Sequence, residues 1–178
     1  IVNCAAYTAV DKAEDDEANA TKVNVDAVRY LGIVAKKYGA KIVHVSTDYV
    51  FDGCGHKPYT EDMSVCPTNV YGRTKLAGEK ALFAECENAI IVRTSWLYSS
   101  YGNNFVKTML RLGRERDELN VIFDQVGTPT YAADLAQIIL TIIADKEWVS
   151  GVYHFSNEGV CSWYDFTIMI HKLAGIEC

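Results

Sequence analysis

A tyrosine and a lysine stand four residues apart in Tyr71-Gly-Arg-Thr-Lys75, downstream of a segment ending Ser46-Thr47-Asp48. Positions i and i+4 of a helix share a face, so one site can use both side chains. A phenol is a weak acid at neutral pH, with a reference pKa of about 10. A cation held beside it favours the phenolate and brings its proton within catalytic reach. A hydroxyl from Thr47 would complete a group of three suited to proton transfer. Taken alone, the spacing also describes a surface helix whose lysine snorkels to water. The elements around the pair therefore decide its meaning.

Ile1 to Asn3 reads as a strand remnant, followed by the loop Cys4-Ala5-Ala6-Tyr7-Thr8. A helix is predicted from about Asp15 to Tyr38, with Ala20, Val23, Ala27, Leu31, Val34 and Tyr38 on one face and Gly39 as its stop. Lys41 to Ser46 is short and β-rich, a buried strand. A loop of some twenty residues follows, a length more often functional than decorative. Asn69 can cap the helix that carries Tyr71 and Lys75 to about Ala84.

Further strands are predicted at Ala89–Thr94, Val121–Phe123 and Val152–Phe155, and helices at Asn103–Arg116, after a Thr130 cap, and after the capping box of Ser162 and Asp165. The Thr130 helix should bury Leu135, Ile138, Ile139 and Ile142; the last should bury Phe166, Met169, Ile170 and Leu173 and stop at Gly175. Strands alternating with helices call for an α/β fold, a partial Rossmann-type doubly wound parallel sheet. The expected division is residues 1–97 in the sheet domain. Residues 98–178 are expected to return to it near 121–145 and to supply a small α/β substrate lobe.

In such sheets ligands lie beyond the carboxyl ends of the strands. Three strand ends carry polar residues: Asn3 to Thr8, Ser46 to Asp48, and Thr94 to Trp96. The helix of Tyr71 starts after the second. That clustering, which played no part in picking the motif, favours an enzyme over a surface helix.

Composition narrows the field. The 178 residues are 49% hydrophobic and 22% charged, ordinary for a globular chain. A net charge of -6 without a Lys/Arg cluster argues against a nucleic-acid surface. The acidic run Glu14 to Glu17 reads as a solvated helix start. Six cysteines and four histidines show no metal-like spacing, so no metal is expected and the histidines read as structural or surface residues. With no signal peptide or long apolar span, a cytoplasmic protein with reduced thiols and no membrane partner is expected. The chain opens without methionine in mid-strand and stops directly after a helix, so both ends read as cuts in a larger protein.

Six stretches carry a resemblance: VNCAAYTAVDKAE (2–14), VHVSTDYVFDG (43–53), NVYGRTKLAGEKA (69–81), RTSWLY (93–98), GNNFVKTML (102–110) and DQVGTPT (124–130). In this order they resemble the extended short-chain dehydrogenase/reductases, and within them the dTDP-4-dehydrorhamnose reductases. That resemblance implies reduction of the 4-keto group of a dTDP-sugar with NADPH or NADH, and leaves a homodimer open. Tyr71 would donate a proton to the nascent alkoxide, Lys75 would lower its pKa and bind the nicotinamide ribose, and Thr47 would orient the reacting oxygen. Ala5, Ala6 and Thr8 would lie along the cofactor, and Asp48, Tyr49 and Trp96 would line the sugar pocket. Asn104, Gln125 and Thr130 would approach the nucleotide.

The family's glycine-rich G-x-x-G-x-x-G turn, which cradles the pyrophosphate, has no counterpart among these residues, and these residues alone are expected to bind cofactor poorly. Two other readings share the scaffold. A dehydratase would place an Asp-Glu pair beside the threonine, where this chain has Thr47-Asp48-Tyr49; an epimerase would keep Tyr and Lys. A regulatory subunit, like that of methionine adenosyltransferase, would not need the intact Thr47, Tyr71 and Lys75.

Overall fold

The computed structural model describes all 178 residues. In chain order, Val2–Asn3 (β1) leads to Val10–Ala13 (α1) and then to a helix in three consecutive pieces: Glu17–Thr21 (α2), a π-helical turn at Lys22–Asp26, and Ala27–Tyr38 (α3). Ile42–Thr47 (β2), a 3-10 turn at Asp48–Val50, Val70–Glu85 (α4) and Ala89–Thr94 (β3) follow. The rest comprises Leu97–Tyr98 (β4), Phe105–Glu115 (α5), Val126–Gly127 (β5), Thr130–Tyr131 (β6), Ala132–Ala144 (α6), Gly151–His154 (β7), Cys161–Ser162 (β8) and Trp163–Ala174 (α7).

Four strands form one parallel sheet in the order β1-β2-β3-β7. Its two central strands, IVHVST and AIIVRT, are almost wholly buried, and near-continuous β-branched runs are what strands covered on both faces require. The expected α/β class with parallel strands is what the chain adopts. No helix is long and apolar enough to cross a membrane.

The chain divides into two compact units, Ile1–Thr94 with Asp145–Phe155, and Ser95–Ala144 with Ser156–Cys178. The first unit holds the sheet. The segment that rejoins it is Asp145–Phe155, which carries β7, whereas a return near 121–145 was expected. Val121–Phe123, read as a strand, has no strand partner here. Three β-favouring residues in a row satisfy propensity, but a strand also needs an edge to pair with.

The long helix also differs from expectation. Its buried side is Ala20, Asn24, Val28, Gly32 and Ala35, while Val34 and Tyr38 are exposed. The π turn shifts the register, and α3 lies so close to α4 that small residues occupy the contact. A Cβ on Gly32 would sit 3.1 Å from a Leu82 methyl. Apolar periodicity follows large residues and so pointed to the wrong face. The Asp165 capping box and the Gly175 stop of α7 form as expected, with Gly175 at φ 63°. That helix, however, buries Thr167, Ile170 and His171 and leaves Met169 and Leu173 exposed. His171 points its ring at the Met109 carbonyl of α5 over Gly113.

Candidate active site

The site grows from α4. Asn69 Oδ1 accepts from the Gly72 N–H at 2.7 Å, and Glu14 Oε1 accepts from the Val70 N–H at 2.8 Å. The first backbone N–H groups of a helix lack partners, and carboxylates suit that end. The acidic run expected to be only solvated therefore holds down a helix that begins 56 residues later. A Cβ on Gly72 would lie 2.2 Å from the Tyr49 carbonyl oxygen, so only glycine lets this first turn rest on the 3-10 turn after Thr47.

Tyr71, Lys75, Glu79 and Leu82 form a buried stripe along α4. Alternate residues of β2 meet it, as the two-residue period of a strand dictates. Ser46 Oγ donates to Glu79 Oε1, and Lys75 Nζ lies 3.5 Å from His44 Nε2 while donating to the Val45 carbonyl at 2.8 Å. Lys75 is only 2% exposed, which excludes a snorkelling surface lysine. From β3, Arg93 grips Glu79 through Nε at 3.0 Å and Nη2 at 2.7 Å. The ends of β2 and β3 are thus bolted to the helix that carries the tyrosine.

Around the phenol stand Thr47, Asp48 and Tyr49. The Thr47 hydroxyl donates to Asp48 Oδ1 at 3.1 Å and accepts from the Tyr49 N–H at 3.2 Å. Tyr49 meets the Tyr71 ring edge-on, with centroids 5.5 Å apart. Burial pushes the Tyr71 phenol up to about 12; the neighbouring Thr47 side chain opposes this, and the Asp48 charge adds to it. Burial likewise raises Asp48 to about 6 and lowers Lys75 to about 8, with Glu79 opposing the latter. His44 falls to about 3 through burial and then the Lys75 charge.

One sequence expectation needs correction. Lys75 was expected to lower the Tyr71 pKa, yet the groups acting on that phenol are burial, Thr47, Asp48 and Tyr49. Helical spacing places the two residues on one face, but the long lysine stem runs on to the Val45 carbonyl. His44, expected with the other histidines to be structural or at the surface, is fully buried beside the Lys75 amine.

Ala5, Thr8 and the half-buried Ala6 lie on the loop after β1. Asn24, from the π turn, clamps that loop by accepting from the Tyr7 N–H at 2.8 Å and donating to Thr74 Oγ1 of α4 at 3.1 Å. Asn24, Glu79 and Arg93 are residues that motif reading missed. A polar side chain inside an apolar helical face was the available signal for Asn24, and π turns concentrate at functional sites.

The second unit holds the remaining candidates. Trp96 has φ 46°, alone among non-glycine residues in the left-handed region, and its indole stacks on Trp163 at 3.5 Å. A Cβ on Gly127 would be 2.5 Å from that ring. Backbone strain of this kind persists where surroundings enforce it and clusters at ligand sites. Thr130 is buried with its hydroxyl unpartnered, and Gln125 is exposed. Asn104 is committed to its own helix: Oδ1 caps Lys107 N–H at 3.2 Å and Nδ2 donates to the Ser99 carbonyl at 2.7 Å.

Comparison with known proteins gives the family and the fold. The model of the RmlD substrate binding domain matches residues 1–178. The dTDP-4-dehydrorhamnose reductase of Aggregatibacter actinomycetemcomitans is 49% identical over 96% of the chain, and that of Escherichia coli 48% over 98%. The chain spans 59% of the length of each. Among solved structures, the Clostridium acetobutylicum dTDP-4-dehydrorhamnose reductase superposes with TM-score 0.95 at 49% identity, covering 99% of this chain and 62% of that one. The Bacillus anthracis reductase in complex with NADP gives 0.95 at 46%, covering 99% and 63%. With its parallel sheet, its buried Tyr71 and Lys75 and a match from end to end, the chain belongs to the RmlD substrate binding domain family.

Proposed function

We propose that the protein carrying this chain reduces the 4-keto group of dTDP-4-dehydro-L-rhamnose, giving dTDP-L-rhamnose, with NADPH or NADH as reductant. The observation that carries this reading is the placement of Tyr71, with Thr47 at its phenol and Lys75 one turn along the same buried face. The residues fit a nicotinamide cofactor. Lys75 retains N–H donors beyond its bond to Val45, and the adjoining β1 loop offers the small Ala5 and Ala6 with Thr8 for close approach. When bound, the cofactor supplies hydride.

The chain's own residues handle the proton. Burial keeps Tyr71 protonated at neutral pH, so its O–H is available when negative charge develops on the sugar oxygen. Thr47 orients that oxygen, Lys75 holds the nicotinamide ribose, and Asp48 and Tyr49 border the sugar. In the second unit, Trp96, whose strained backbone holds an indole stacked on Trp163 and packed on Gly127, remains a substrate candidate together with Gln125 and Thr130. Tyr71→Phe removes only the acid. It should lower kcat by about 10²- to 10⁴-fold when absorbance of NADPH is followed with dTDP-4-dehydro-L-rhamnose. Undiminished turnover by that variant would reject the mechanism.

A further inference from the structure

We propose that His44 is a positioning residue of this site: Asn3 holds it as the Nε2–H tautomer, and that N–H, aimed at the Lys75 amine, governs whether Lys75 carries its proton during turnover. The inference rests on the reductase reading for its catalytic consequence and on hydrogen-bond accounting for everything else.

The accounting starts at the Asn3 amide. Its Oδ1 accepts from the Ala5 N–H at 3.2 Å, which orients the amide and turns Nδ2 to the His44 ring. An amide nitrogen only donates, so His44 Nδ1, 3.0 Å away, must accept and cannot carry a proton. Burial and the Lys75 charge keep the imidazole neutral, with a pKa near 3, although the Asn3 backbone favours the charged ring. Its single proton is therefore on Nε2, the atom 3.5 Å from Lys75 Nζ. Facing an ammonium, that N–H is a donor set against a donor. Facing a neutral amine, it meets a lone pair and makes a hydrogen bond.

The other groups around Lys75 pull differently. Val45 offers a carbonyl that accepts from the amine at 2.8 Å. Glu79, one turn along α4, favours the charged form, as does Cys4 after β1, and Glu79 is itself shared with Arg93 of β3. Burial disfavours the charge most. Burial set against Glu79 and Cys4 leaves Lys75 titrating near 8, within reach of working pH, and the His44 N–H, 3.5 Å from the amine, stands on the side of burial. A lysine poised there can release and regain a proton as Tyr71 loses its own, whereas one near its ordinary value of about 10.4 would act as a fixed cation.

The tautomer is open to direct measurement in the intact full-length protein. Nitrogen-15 shifts of the His44 ring should report Nε2–H and an unprotonated Nδ1; an Nδ1–H tautomer would overturn the proposal. The second test is His44→Gln, whose amide oxygen can turn to accept from Lys75. The Lys75 titration, followed by NMR without substrate, should rise by about one pH unit. The alkaline limb of kcat should move with it while KM for the sugar stays put. A folded His44→Gln protein with Lys75 titrating as before would equally overturn the proposal. Because the titration is read without turnover, a failure of the reductase reading would leave it standing, and the reverse also holds.

Discussion

The Glu79–Arg93 pair allows a quantitative test of how α4 is held. Both side chains are almost fully buried, at 4% and 7% exposure, and they meet through two hydrogen bonds, the shorter 2.7 Å. Replacing one partner leaves the other as an uncompensated charge in the interior, which costs about 3–5 kcal/mol. Glu79→Met also deprives the Ser46 hydroxyl of its acceptor, adding roughly 1–3 kcal/mol. For a chain of this size each kcal/mol lowers Tm by about 2–4 °C, so Glu79→Met should lose on the order of 10 °C or more. Arg93→Met should lose somewhat less, because it also removes Nη1, a buried donor with no partner. The double variant places two flexible apolar chains where the ions met. Such replacements are often near neutral, so its loss should fall to about 1–3 kcal/mol, the part owed to Ser46. Urea unfolding of the four proteins closes the cycle. Additivity of the single losses to within about 0.5 kcal/mol would mean that the two groups do not sustain each other, and the account of α4 would fail.

Lys75 and Gly127 yield the other tests. Burial holds Lys75 near 8 in the folded chain, below its unfolded value, so the native state binds fewer protons between those pH values and its stability rises with pH across that window. Lys75→Met should therefore stabilise the protein at pH 7, by on the order of 3 kcal/mol, with the gain shrinking as pH climbs from 8 towards 10.5 while activity is lost. A gain that grows with pH, measured by urea unfolding, would contradict this sign. Gly127→Ala drives a methyl into the Trp96 indole, and in this crowded spot should cost about 1–3 kcal/mol. Its tryptophan fluorescence should shift as the stack on Trp163 opens, and under the proposed function KM for the dTDP-sugar should rise more than kcat falls; unchanged fluorescence would show that the ring is not confined by Gly127.

Much of this protein was legible in its residues. Buried strands announce themselves as β-branched runs, and Asn69, Ser162 with Asp165, Gly39 and Gly175 marked helix ends by local chemistry that needs no tertiary partner. The Tyr71–Lys75 spacing and the Thr47 strand end were likewise local, as was the family resemblance they carried. Tertiary structure decided what depends on distant neighbours. Val121–Phe123 found no edge to pair with, and the face of α3 was chosen by the glycine that fits against Leu82. The acid at Glu14 acquired its purpose only when the start of α4 came within 2.8 Å. The charge state of the site is the plainest case. Helical spacing puts Tyr71 and Lys75 on one face, but burial, Thr47 and Asp48 set the phenol, while burial, Glu79 and Cys4 set the amine. A pKa responds to the dielectric and the charges within a few ångströms, and those are assembled only by folding.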